Sequence, residues 1–214
     1  MLKIVIFDSG YGGELLADYL ESELPVLNII RVIDWRHAEE SQNSAKSART
    51  SAEKSLKPYI GKVDLIIFAN YFLTATSLKY FQRKYKNQQF IGIHMVHPGT
   101  FRRKTHVFTT KAMSKTLLYK IFVRKIRGET LILDDWPILI DDGELGHGKM
   151  KRDLTRNLPV RPSQIILACS QFADVKDELR RVLGHNVKII DNFDEVLRQT
   201  CQTLKIRGGL QKQK

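Results

Sequence analysis

Short apolar runs recur along the chain, at residues 3–7, 27–33, 63–68, 90–93, 106–109, 130–133, 165–168 and 187–190. Each is rich in Ile, Val, Leu or Phe and too short for a buried helix, which reads as a strand covered on both faces. Between them, residues 14–23, 74–85, 112–126 and 175–183 have helical spacing, and 193–204 is a last such stretch. The polar segment 37–55, rich in Ala, Ser and Glu, reads as a further helix, and 141–153 as a Gly-containing loop or short helix. Strands alternating with helices predict an α/β fold with right-handed crossovers and mainly parallel sheets. Two segments echo each other: residues 64–72 (Asp-Leu-Ile-Ile-Phe-Ala-Asn-Tyr-Phe) and 164–172 (Gln-Ile-Ile-Leu-Ala-Cys-Ser-Gln-Phe). The echo predicts two similar lobes, each offering a strand end to a cleft between them.

Ligands of open α/β sheets bind beyond the carboxyl ends of the strands. Cys169 and Ser170 fall there after one run, and Asp8 and Ser9 after the first. The turn Gly10-Tyr11-Gly12-Gly13 just after Ser9 would expose backbone N–H groups to an anion at a helix start. A tight turn that needs glycine for its dihedrals accounts for the same residues. It is neither a dinucleotide fingerprint nor a P-loop, since no Gly-Lys-Ser/Thr comes after it. His94 and His97 lie three apart, with no Asp, Glu or Cys at a matching spacing, so no metal site is expected.

Cys169 and Cys201 are the only cysteines and form no CxxC pair. That argues against a disulfide framework or a structural zinc site and fits a reducing cytoplasm. The opening residues reach Asp8 too soon for a secretory signal, and no apolar run approaches the roughly 20 residues that span a bilayer. The net charge of +12 is read first as a solvated basic surface. Nucleic acid is the alternative partner, through the basic segments 102–104, 120–127 and 149–156, although no helix-turn-helix, RNP or zinc-finger pattern accompanies them.

The residues also resemble a known family. Asp8-Ser9-Gly10-Tyr11-Gly12-Gly13 is similar to the Asp-Ser-Gly-x-Gly-Gly motif of cofactor-independent glutamate racemases, in the aspartate/glutamate racemase superfamily. Ala168-Cys169-Ser170-Gln171-Phe172 resembles in part their Gly-Cys-Thr-His-Tyr. The stretch from Val182 to Asp191 is similar to the family's sequence downstream of that motif, and Pro98-Gly99 matches the Pro-Gly between lobes. The resemblance implies two facing lobes, residues 1–97 plus 191–214 and residues 98–190, with the last helix returning to the first. It implies no cofactor, and one cysteine per lobe: one thiolate removes the substrate α-proton and the opposite thiol returns one. Cys169 and Asp8 would be catalytic; Ser9, Asn70, Thr110 and Ser170 would hold a small amino or dicarboxylic acid.

Three departures qualify it. The family's Ala-Cys-Asn-Thr aligns with Phe68-Ala69-Asn70-Tyr71, so Ala69 stands where the first cysteine belongs, and a methyl group moves no proton. Gln171 replaces the histidine after the second cysteine. The family's Pro-Tyr-Gly has no match near residues 36–41. Cys201, on the last helix, reads as structural. The expectation is a racemase-like protein that does not racemise. The alternatives are a one-cysteine racemase or decarboxylase using Cys169, with Tyr71 or Asp8 as the substitute group in a racemase, and a nucleic-acid-binding protein.

Overall fold

In the computed structural model, described for residues 1–35, 44–95, 105–158 and 160–206, the chain divides into two units: Met1–His94 with the segment from Asn192 onward, and Met95–Asp191. The first contains β1 (Leu2–Asp8), α1 (Gly12–Glu23), β2 (Leu27–Ile33), α2 (Ala45–Leu56), β3 (Leu65–Phe68), α3 (Tyr71–Lys84) and β4 (Phe90–Gly92). The second contains β5 (Thr105–Thr109), α4 (Lys111–Ser114), α5 (Leu117–Ile126), β6 (Glu129–Ile132), α6 (Trp136–Asp141), α7 (His147–Asn157), β7 (Gln164–Ala168), α8 (Lys176–Leu183) and β8 (Lys188–Ile190). The chain then returns to the first unit as α9 (Phe193–Leu204).

Each unit is a parallel four-stranded sheet, ordered β2-β1-β3-β4 in the first and β6-β5-β7-β8 in the second. The order is the same, so β1 corresponds to β5 and β3 to β7, and the echo between residues 64–72 and 164–172 becomes one topology used twice. In both sheets the chain reverses its direction of winding between the two central strands. This is the switch point at which α/β proteins open a crevice. Phe7 pairs with Phe68, and Thr109 with Ala168. Asp8-Ser9 and Ala69-Asn70 therefore leave one sheet side by side, as Thr110 and Cys169-Ser170 leave the other.

Burial explains why the central strands read so clearly. All four residues of β3 and Ile165–Leu167 of β7 have no exposed surface, whereas the edge strand β2 is largely half-exposed. In the first unit Phe68 is ringed by Phe7, Phe81 and Phe90, its ring centroid 5.0 Å from that of Phe81. The second core gathers Phe108, Trp136, Met150, Leu154, Ile165 and Phe172.

One expectation is corrected. Residues 112–126 are not one helix: Thr110 caps α4, and Thr116, in extended conformation, caps α5 by accepting from the Tyr119 amide at 3.2 Å. A threonine that meets the backbone in this way starts a helix rather than continuing one. Of the two readings of residues 141–153, loop or short helix, the helix holds from His147 onward, as α7. Met150 and Leu154, four apart, bury one face of α7 in the core, and packing of that face outweighs the polar composition of the segment. The expected features at residues 36–41, 97–99, 102–104 and 208–214 lie wholly outside the described residues. Among the described residues, no helix is long and apolar enough to cross a membrane.

Candidate functional site

At the end of β1, Asp8 is fully buried and Ser9 nearly so. The Asp8 carboxylate accepts from the Ser9 amide at 2.7 Å and from the Asn70 side-chain amide at 3.1 Å. The same Asn70 nitrogen lies 3.1 Å from Ser9 Oγ. Its other end, Oδ1, accepts from the Leu73 amide at 2.8 Å and so caps α3. Asn70 thus ties the end of β1 to the start of α3, and this fixes its orientation: the carbonyl must meet an N–H and the NH₂ a carboxylate. Phe7, Ser9, Ala48, Ser51, Asn70 and Leu73 line a narrow cavity here, no larger than one water.

The glycines of the turn serve packing. None of Gly10, Gly12 and Gly13 has positive φ. A Cβ on Gly13 would lie 2.7 Å from both Asp8 Cβ and Ile33 Cδ1, so glycine lets α1 close onto the ends of β1 and β2. The amides of Gly13 and Glu14 already donate to Gly10 and Tyr11, which leaves an anion fewer donors than the glycine count suggests. Ala69 comes directly after β3 with no exposed surface, its amide donating to the Phe7 carbonyl at 2.9 Å.

In the second unit, Thr110 comes after β5 and spends its hydroxyl on the Met113 amide. Cys169 and Ser170 come after β7; Ser170 is buried and Cys169 half-buried. The Cys169 thiol lies 3.0 Å from Gln171 Oε1, and Gln171 Nε2 lies 3.4 Å from the Asp141 carboxylate at the end of α6. A carboxylate only accepts, so it draws the NH₂ of Gln171 and turns the carbonyl toward Cys169. The thiol is thereby a donor to Gln171, and a thiolate would face the negative end of a dipole. The sequence did not single out Asp141, which opens the segment read as a loop or short helix; the apolar run 136–140 ahead of it was the one signal available.

Gln171→His is expected to raise iodoacetamide alkylation of Cys169 at neutral pH by about tenfold, since a ring N–H beside the sulfur favours thiolate. Peptide mass spectrometry separates the two cysteines. Cys201 serves as the internal reference, because burial pushes its thiol up from the usual value and leaves it 7% exposed. An unchanged rate would show that Gln171 does not govern the thiol.

His94, beyond β4, is held below the ordinary imidazole value by burial, against the opposing charge of Glu195. Among the described residues no group of three or more His, Cys, Asp or Glu side chains could hold a metal. The basic stretch 120–127 lies on α5 and its C-cap, with Lys120, Arg124, Lys125 and Arg127 exposed. On α7, Lys149 is held by Asp135 and Asp153 at 2.6 and 2.8 Å.

No family model matches the chain. It is 24% identical over 222 residues to glutamate racemase of Limosilactobacillus reuteri, an alignment covering 97% of this chain and 82% of that protein. With glutamate racemase of Ralstonia pickettii the identity is 25%, over 95% of this chain and 76% of the relative. Among solved structures, Escherichia coli glutamate racemase in complex with L-glutamate and an activator superposes with a TM-score of 0.83 at 19% identity, covering 96% of this chain and 83% of that one. Picrophilus torridus aspartate racemase gives 0.60 at 12% identity, over 96% and 95% of the two chains. The fold is that of glutamate and aspartate racemases, and the sequence is similar to glutamate racemases over nearly its full length.

Proposed function

We propose that this protein is a racemase-like binding protein: it takes a small amino or dicarboxylic acid through Ser9, Asn70, Thr110 and Ser170 and does not racemise it. The observation that carries this reading is Ala69. It occupies the end of β3 where the resemblance puts a catalytic cysteine, and it is sealed from solvent. Inversion at a carbon needs an acid and a base on opposite faces. With Cys201 on α9 shielded by burial, Cys169 is the single thiol suited to such work. Asp8 remains, but its carboxylate is engaged by Ser9 and Asn70.

A second reading has a specific observation in its favour. The Cys169 thiol is half-buried and donates to Gln171, which suits a lone acid that protonates a carbanion from one face, as in a decarboxylase.

The experiment is α-proton exchange in D2O with both enantiomers of glutamate and aspartate, monitored by NMR, with Cys169→Ala as control. The expected result is binding, seen as ligand-induced shifts, with no deuterium incorporation and no inversion. Deuterium entering both enantiomers with inversion would overturn the proposal. Exchange in one enantiomer alone, abolished by Cys169→Ala, would favour the one-cysteine enzyme.

A further inference from the structure

We propose that the groove between α2 and α3 is a binding site for a small phosphate-bearing molecule, lined by Arg49, Thr76, Lys79, Tyr80, Arg83 and Lys84. It lies wholly within the first unit, uses none of the strand-end residues, and goes beyond the acid-binding function. The groove has room for about 530 Å³, within the range of small-molecule sites.

The sequence builds it from helical spacing. Thr76 and Tyr80 are four apart on α3, as are Lys79 and Arg83, so together they cover one side of the helix. Arg49 and Glu53, also four apart, face them from α2. Glu53 faces inward through Oε1, which accepts from Lys84 at 2.5 Å, Tyr80 at 2.9 Å and Tyr85 at 3.3 Å. Burial alone would raise its carboxyl, but the bonds from Lys84 and Tyr80 outweigh that and hold it below the usual range. It is therefore an anion already neutralised by Lys84. Three cations remain: Arg49, Lys79 and Arg83. None of them has a carboxylate within ion-pair distance among the described residues.

Arg49 shows that the charge is placed rather than scattered. Its guanidinium lies 4.2 Å over the Tyr80 ring and donates to the Thr76 carbonyl at 3.4 Å. Its Nε is buried without a hydrogen-bond partner among the described residues. Holding an arginine in this position costs desolvation that its described neighbours do not return. An anion in the groove would offset that cost and the mutual repulsion of the three cations. Phosphate fits best, because a planar guanidinium and two flexible cations present several donors to one multivalent group.

The test titrates inorganic pyrophosphate into the full chain at low salt, monitored by amide NMR and calorimetry. Saturable shifts on α2 and α3 are expected, with affinity falling about tenfold in Arg83→Gln and again in Arg49→Gln. Lys151→Gln, at an exposed position of α7, is the control for general basicity and is expected to bind as the parent does. Arg83 is exposed, so its variant reports even if Arg49→Gln fails to fold. The proposal is overturned if pyrophosphate gives no saturable shift, or if Lys151→Gln weakens binding as much as Arg83→Gln. A short single-stranded oligonucleotide, or vesicles containing phosphatidylglycerol, that engaged the same residues more tightly than pyrophosphate would also overturn it, in favour of a macromolecular or lipid partner. The strand-end residues are untouched by these variants, so failure here leaves the acid-binding proposal standing.

Discussion

An Asn70→Asp chain is expected to be almost as stable as the parent near pH 4 and to lose about 3 kcal/mol by pH 8. The new carboxylate keeps the α3 cap, because one oxygen still accepts from the Leu73 amide. The other oxygen replaces the NH₂ that now donates to Asp8 and Ser9 at 3.1 Å. Two carboxyls at that distance share one proton, and the pair's folded-state pKa rises above the unfolded value. A raised pKa contributes stability that is fully present below the unfolded pKa, near 4, and is lost as pH rises through the folded one. A rise of about two units corresponds to the stated loss. Urea unfolding at the two pH values measures it. Asn70→Ala removes the cap and both donor bonds without adding charge, so its penalty of about 1–3 kcal/mol should vary less with pH than that of Asn70→Asp. If Asn70→Asp is equally destabilised at both pH values, Asp8 is not its close partner.

Trp136→Ala carries the other large effect, a loss of about 3–5 kcal/mol from the second unit. Trp136 is the largest side chain with no exposed surface. Its ring packs edge-on against Phe172 at 5.8 Å, and its indole N–H donates to Asp153 at 3.0 Å. Alanine therefore leaves a cavity and a carboxylate lacking one partner. The consequence should reach the thiol. Phe172 is the residue next to Gln171, and Trp136 opens the helix that ends in Asp141, so both supports of Gln171 are packed through this residue. Thermal unfolding gives the stability, and Cys169 alkylation in native buffer gives the local effect, expected to rise severalfold. A cysteine as protected as in the parent would mean that the 169–172 turn is held independently of Trp136.

Where a segment's structure stems from its own periodicity, the chain was readable. Leu27–Ile33 and Phe193–Leu204 have the bounds that their apolar spacing predicts, since strand and helix place apolar residues at fixed local intervals. The positions of the two strand ends were readable too: Ala69 and Cys169 each come directly after a buried central strand of its own sheet, and buried parallel strands leave a continuous apolar run. Helix boundaries were less so. Thr116 splits the basic segment because its hydroxyl reaches a backbone amide, an alternative that residue type permits but does not impose.

The amino-acid order thus settled the α/β class, the repeated strand–helix unit, and the identity of the groups at the strand ends, Ala69 among them. Tertiary structure alone decided what those groups meet. Asp141 reaches Gln171 across 30 residues, Asn70 reaches Asp8 across 62, and Arg49 lies against Tyr80 across the α2–α3 crossover. The physical reason is one of range. Backbone hydrogen bonding and side-chain periodicity act between near neighbours and leave a pattern in the sequence. The orientation of an amide, the protonation of a thiol and the clustering of three cations depend on groups that only the completed crossovers bring within a few ångströms.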